Sequence, residues 1–272
     1  MVLGPRTLVM GVLNVTPDSF SDGGLSGDPA RAIDLAQAME SAGADLIDVG
    51  AESTRPGAAP VAAAEEIERL RPVLKTLVHR LRVPLSIDTY KAETAAFALA
   101  EGASIVNDIS GLEYDRGLGP VLASCGVPVV LMHTRGRPDD MYARASYDDV
   151  VVEVSRELED RIQRAIGFGI AREQIVLDPG LGFGKRAEQS LKLLAGVHAL
   201  AALGRPLLIG ASRKSFMNTA TGPLEPAARD WPSAAAVSAA VYSGAHIVRV
   251  HRVAEMVQVV RVADAIRAAA LG

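Results

Sequence analysis

Polar side chains close eight short apolar runs in this sequence, and their types point to a binding site. The endings are Asn14, Glu52-Ser53-Thr54-Arg55, Asp88, Asn107-Asp108, Met132-His133, Asp178, Ser212-Arg213-Lys214, and Arg249 with His251. A single aspartate at a strand end is an ordinary helix cap, and Asp88 alone reads equally well that way. Eight polar endings on one rim are different, because burying polar groups without partners costs free energy. A polar ligand accounts for the whole set. Asp88, Asn107 and Asp178 make an array of acceptors and donors that suits the aminopyrimidinone edge of a heterocycle. A carboxylate accepts two parallel hydrogen bonds from an N–H/NH2 pair. Arg55, Lys214, Arg249 and His251 suit a phosphate or carboxylate. Only five of the 28 basic residues are lysines (75, 91, 185, 192 and 214), so each lysine kept is a residue to watch.

Those endings need elements that bring them together. The apolar runs cover residues 7–14, 44–50, 84–88, 104–108, 128–133, 174–178, 206–210 and 245–251. Each is continuous rather than alternating, as in parallel strands buried on both faces. Helical patterns lie between them, at 29–42, 61–81, 91–101, 115–125, 147–168, 188–202, 232–243 and 253–271. Asp28-Pro29 supplies an N-cap and a proline at the first helical position. Gly43, Gly102, Gly126, Gly204 and Gly244 precede strands, where a left-handed helix cap is expected. Strand ends recur about every 34 residues, the size of a βα unit. The expected fold is a single (β/α)8 barrel of TIM type over residues 1–272, with its site at the C-terminal face of the strands. A doubly wound open sheet is the alternative, but it would need a switch point that this pattern does not offer.

The chain has 272 residues, 49% hydrophobic and 22% charged, enough for one large packed core. Its net charge of −4 and lack of a basic stripe argue against a nucleic-acid partner. No apolar run has membrane-spanning length, and residues 1–14 read as a strand rather than a signal peptide. Cys125 is the only cysteine, which excludes an internal disulfide or cysteine zinc site and fits a reducing cytoplasm. It is expected to be buried and inert.

The motifs carry a resemblance. Asn14-Val-Thr-Pro-Asp18-Ser-Phe20-Ser-Asp22-Gly-Gly and Asp48-Val-Gly-Ala-Glu52-Ser-Thr54-Arg55-Pro56-Gly57 resemble the first two signatures of the dihydropteroate synthase family. Ser86-Ile-Asp88-Thr-Tyr-Lys91, Asn107-Asp108-Ile-Ser-Gly111, Met132-His133, Asp178-Pro-Gly-Leu-Gly-Phe183-Gly184-Lys185 and Ser212-Arg213-Lys214-Ser215 follow in order. The resemblance spans roughly residues 6–265 and implies condensation of a dihydropterin pyrophosphate with p-aminobenzoate. It places Asp88, Asn107, Asp178 and Lys214 on the pterin ring, with Met132 against its face. Arg249 and His251, with Thr54 nearby, would take the pyrophosphate, and Asn14 its Mg2+. Arg55, Pro56, Phe183, Lys214 and Ser215 would shape the p-aminobenzoate site. Phe20 and Asp22 would close over it from the first loop, where Gly23-Gly24 and Gly27 read as a lid. Asp22 joins Asp88, Asp178, Lys214, Arg249 and His251 as the catalytic set. Pyrophosphate would leave the 6-methylene carbon and the arylamine attack it, with no side-chain nucleophile. The family also implies a homodimer, for which helices 232–243 and 253–271 offer alanine-rich faces.

Two departures stand out. Arg252 follows His251 where the family usually has an acidic residue, adding positive charge beside the anion wall. The stretch to Trp231, with Glu225-Pro-Ala-Ala-Arg229, follows the family pattern only loosely. Rival readings are a pterin-dependent methyltransferase, a non-catalytic homologue, and a Schiff-base aldolase using Lys214 with its pKa lowered by Arg213. Other side chains carry plainer expectations. His79 and His198 belong on the surface, His133 and Trp231 in packing, and Lys185 as a surface partner of the loop before it. Glu65, Glu66 and Glu68 are a charge bias at a helix start. Gly180, Gly182 and Gly184 would let backbone turn close to a ligand over Phe183.

Overall fold

Strand pairing follows chain order almost throughout, because each crossover helix returns the chain beside the strand it left. A computed structural model describes residues 3–4, 6–16, 28–54 and 57–271. The strands are β1 (Leu8–Asn14), β2 (Leu46–Gly50), β3 (Leu85–Asp88), β4 (Ile105–Asp108), β5 (Val129–Met132), β6 (Ile175–Asp178), β7 (Leu208–Ile209) and β8 (Ile247–Val250). All paired strands are parallel, in the order β6-β5-β4-β3-β2-β1-β8-β7. A parallel bridge between Leu177 and Leu207 links β6 to the β7 side and closes the ring. The expected (β/α)8 barrel is the fold.

The helices are α1 (Pro29–Ser41), α2 (Ala63–Arg80), α3 (Ala92–Glu101), α4 (Leu118–Cys125), α5 (Val150–Gly167), α6 (Ala187–Ala195), α7 (Asn218–Thr221), α8 (Asp230–Tyr242) and α9 (Val253–Leu271). Asp28 caps α1 by accepting from Ala30 N at 2.9 Å, as its sequence signal requires. Gly43, Gly102, Gly126, Gly204 and Gly244 all take positive φ, so those five stops fall where expected. Several boundaries differ. α4 starts at Leu118, not 115, because Asp115 accepts from Ala92 N at 2.7 Å and so serves the start of α3. The segment expected as one helix over 188–202 breaks at Gly196 into α6 and a 3-10 turn, Val197–Leu203. A Cβ at Gly196 would lie 2.7 Å from Val151, so α5 crosses too close for a side chain there. β7 keeps two residues of the five expected.

Most of the core lies between strands and helices, from Val9 to Ala263. A second cluster fills the barrel interior: Leu8, Met10, Leu46, Ile105, Val130, Val176, Leu208 and Ile247. Each large apolar side chain fully buried there contributes about 1.5–3 kcal/mol. This plug closes one end of the barrel and leaves the other for polar groups. No helix among the described residues is long and apolar enough to cross a membrane.

Candidate active site

Strand side chains alternate between faces, so residues two steps beyond the plug point into the barrel again. Those residues are Val12, Asp48, Asn107, Met132, Asp178, Gly210 and Arg249. Asp88 lies two beyond Ser86, which pairs in register with Asp48. The change from apolar plug to polar layer therefore takes one pleat.

The polar layer is tightly paired. Arg249 donates from Nε to Asp48 Oδ2 at 2.6 Å and from Nη2 to Asp88 Oδ2 at 2.7 Å. Asn107 Nδ2 donates to the same Asp48 oxygen at 2.9 Å, which leaves the Asn107 carbonyl for a ligand donor. Asp178 Oδ1 accepts from Gly180 N at 2.7 Å. Lys214 Nζ donates to Leu181 O at 2.8 Å and lies 3.9 Å from the centre of the Phe183 ring. His251 Nδ1 and Ser212 Oγ are 3.0 Å apart.

Burial dominates the protonation of these groups. It pushes Asp88 up to about 7, with Arg249 offsetting the shift and Asp48 adding to it. Burial also raises Asp178, against the Gly180 hydrogen bond and the Lys214 charge. Lys214 is pushed down to about 8 by burial, with Asp178 opposing the shift and Arg249 assisting it. Arg213, expected to depress Lys214, instead pairs with Asp230 at 2.8 Å. The cation acting on Lys214 is Arg249.

Nine of the expected residues line one mouth: Thr54, Asp88, Asn107, Met132, Asp178, Phe183, Lys214, Arg249 and His251. Asn14 ends β1, in register with Gly50, and is half-buried. Ser215 opens the 3-10 turn Ser215–Met217 and is exposed. Neither lines the mouth. Phe20, Asp22, Arg55 and Pro56 lie outside the described residues, as does the expected lid. Sequence reading passed over Asp48, which is fully buried beneath the mouth and orients both Arg249 and Asn107. Its signal was available: a charge two positions beyond Leu46 in an otherwise apolar run.

Several side chains sit elsewhere than expected. Lys185 is 1% exposed rather than on the surface. Glu66 is fully buried, accepting from Lys91 Nζ at 2.8 Å and Thr94 Oγ1 at 2.9 Å. Lys91 also pairs with Glu52, so the base of the second loop is tied to α2 and α3. Trp231 is 86% exposed and Cys125 is exposed. Cys125 ends α4 between exposed Ser124 and Gly126, and Trp231 lies in the first turn of α8. Arg252 pairs with Glu255 and lies 4.0 Å from Asp230, which offsets the charge it was expected to add. Gly180 does turn close to another group, but that group is His133 O, 2.0 Å from where a Cβ would stand.

A larger recess lies at the opposite end of the barrel, between Arg6, Asp45, Arg261 and Asp264. Its carboxylates are already spent on β1: Asp45 accepts from Val9 N and Asp264 from Thr7 N. Barrel enzymes place their chemistry at the other face.

Known proteins resemble this chain along nearly its whole length. A dihydropteroate synthase of Synechocystis sp. is 45% identical over 97% of this chain and 91% of its own length. The Xanthomonas albilineans dihydropteroate synthase solved with 4-aminobenzoic acid has a TM-score of 0.91 and 43% identity, covering 97% of this chain and 94% of that one. The Yersinia pestis dihydropteroate synthase solved with a sulfonamide drug has a TM-score of 0.92 and 41% identity, covering 98% and 99%. The family described as pterin binding enzyme matches residues 10–251, and the chain belongs to it.

Proposed function

We propose that this protein is a dihydropteroate synthase. It joins 6-hydroxymethyl-7,8-dihydropterin pyrophosphate to p-aminobenzoate and releases pyrophosphate. The observation that carries this reading is the convergence of Asp88, Asn107, Asp178 and Lys214 with Arg249 and His251 in one mouth. Asp178 accepts from the amino-pyrimidinone edge, Asn107 presents its carbonyl, and Met132 packs on the ring. Arg249 uses Nε and Nη2 on Asp48 and Asp88, which leaves Nη1 for a pyrophosphate oxygen beside His251. Thr54 lies on the same rim, and Arg55, Pro56, Phe183 and Ser215 are assigned to the arylamine.

The C–O bond to pyrophosphate breaks with its electron pair on the leaving oxygen. The arylamine nitrogen forms the new C–N bond and gives up a proton to solvent. The arylamine is a weak base, so the protein's work is to stabilise departing negative charge and any cation on the pterin. Asp88 and Asp178 serve the cation and Arg249 the anion. The described residues hold no cluster of three or more His, Cys, Asp or Glu side chains able to bind a metal. Asn14, at the end of β1, would offer Mg2+ one neutral amide oxygen, a hard donor that substrate phosphates and water would have to supplement. When bound, Mg2+ would neutralise charge on the pyrophosphate.

We further infer a homodimer through α8 and α9, where Tyr242, Val262 and Ile266 are 58%, 61% and 56% exposed. A cytoplasmic location is inferred from the lone, unpaired Cys125.

Turnover tests the synthase reading. Purified protein with both substrates and Mg2+ should release pyrophosphate and form dihydropteroate. Asp178→Ala should lower kcat/KM by about 10–150-fold, the worth of one hydrogen-bonded charge at ~1.5–3 kcal/mol. Product formation indifferent to Asp178, or none in the parent protein, would sink it.

A further inference from the structure

Lys185 is the largest fully buried side chain among the described residues, and the reaction above makes no use of it. Among those residues no carboxylate hydrogen-bonds to it; Asp178 and Glu157 act on it through charge alone. Nζ lies 2.8 Å from His133 Nδ1, 3.0 Å from Gly180 O, 2.9 Å from Phe183 O and 3.3 Å from His133 O. All four are acceptors once the histidine tautomer is assigned. Glu157 stays ionised, because hydrogen bonds from His133 and Arg135 outweigh the burial that would raise it. Burial keeps His133 neutral. Its single N–H therefore sits on Nε2 and donates to Glu157 Oε2 at 2.9 Å, which leaves Nδ1 to accept from Lys185.

The segment that Lys185 grips is the 180–184 turn. Gly180, Gly182 and Gly184 there have φ of +67°, +78° and +56°, so the turn has little stiffness of its own. Side-chain donors hold its five successive carbonyls: Lys185 on 180 and 183, Lys214 on 181, Tyr142 on 182 and Tyr147 on 184. Lys185 works from beneath and Lys214 from within the mouth, so the two lysines share one strip of backbone. That strip also gives Lys214 its Phe183 platform and gives Asp178 the Gly180 N–H.

We propose that Lys185 is a positioning residue, held by His133 and Glu157, that fixes the 180–184 turn and through it the placement of Lys214 and Phe183. The inference rests on the synthase reading, so its test needs a signal that does not depend on turnover. Competitive acetylation followed by mass spectrometry gives the titration midpoint of Lys214 directly. The parent protein should show a midpoint near 8. In Lys185→Met the turn loosens, water reaches Lys214, and the midpoint should move up towards that of an ordinary lysine. kcat/KM for p-aminobenzoate should fall about 100-fold, the cost of roughly 1 Å of misplacement.

His133→Leu should repeat both effects. His133→Asn, which keeps an acceptor where Nδ1 stood, should restore part of each. The double variant Lys185→Met/His133→Leu should lose little more than either single one. Thermal melts accompany each protein, and if Lys185→Met does not fold, the two His133 variants carry the comparison. An unmoved Lys214 midpoint with unimpaired turnover in a folded variant overturns the proposal, as does equal loss in His133→Asn and His133→Leu. A parent protein without turnover whose Lys214 midpoint still moves in Lys185→Met would refute the synthase reading and leave the positioning role standing.

Discussion

Asp88 is pulled two ways: burial and the neighbouring Asp48 favour its protonated form, while Arg249 favours the carboxylate. Its folded-state pKa near 7 falls within the working pH range, with that of Lys214 near 8 just above it. Pterin N–H donors need Asp88 as a carboxylate, so kcat/KM should rise as pH increases through about 7. It should fall again above about 8, as Lys214 loses the proton it donates. Because kcat/KM reports the free enzyme, these limbs belong to the unliganded groups described above. Asp88→Asn should flatten the acid limb while lowering the plateau. A profile from Asp88→Asn that keeps the limb would assign it elsewhere, with Asp178 the next group to test. Arg249 reaches Asp48 and Asp88 from two separate nitrogens of one rigid plane and keeps a third for an anion, a fixed fork that a lysine's single nitrogen would not reproduce.

Glycine placement gives a sharper test at the level of elements. Gly126 and Gly180 have nearly the same φ, +65° and +67°. A Cβ at Gly126 would meet nothing within 4 Å, whereas one at Gly180 would stand 2.0 Å from the His133 carbonyl oxygen. Gly126→Ala should therefore cost only the left-handed strain, about 1–2 kcal/mol. Gly180→Ala should cost a further ~1–3 kcal/mol, because two backbones must separate. At roughly 2–4 °C per kcal/mol, scanning calorimetry should rank the two clearly, and equal shifts would contradict the packing of β5 against the turn. The same contrast shows what was legible in the sequence. Helix stops at glycine and the cap at Asp28 are local backbone chemistry, whereas the cap at Asp149, which accepts from Val151 N at 3.0 Å and starts α5 at Val150 and not at 147, was not read. Strand ends were legible because burial on both faces leaves a continuous apolar run. The break at Gly196 depends on how closely Val151 passes, and the depth of Lys185 on the carbonyls of its own turn. Both are set by contacts between segments that no local pattern encodes. Asp48 was hidden differently: its meaning comes from the pleat, which turns position 48, but not 47 or 49, towards Arg249.

Across the whole molecule, the barrel separates its tasks by end and by face. One end is plugged and fastened through Asp45 and Asp264, and the other holds the reactive layer. The outer face of α8 and α9 does neither, yet it carries large apolar groups. Val262 and Ile266 are four residues apart on α9 and so share one face. Both are more than half exposed, next to alanines that would let a second helix approach closely. Burying such a patch against its own copy satisfies a two-fold interface, in which each residue meets the same surface on the partner. Light scattering should then give twice 28.5 kDa for the parent protein. The double variant Val262→Glu/Ile266→Glu places four like charges across the axis and should give 28.5 kDa. Its turnover should persist, because neither Val262 nor Ile266 lines the mouth at the strand ends. A parent mass of 28.5 kDa would remove the dimer and leave the patch as exposed apolar surface. A dimer that survives both glutamates would place the two-fold axis on other helices of the barrel.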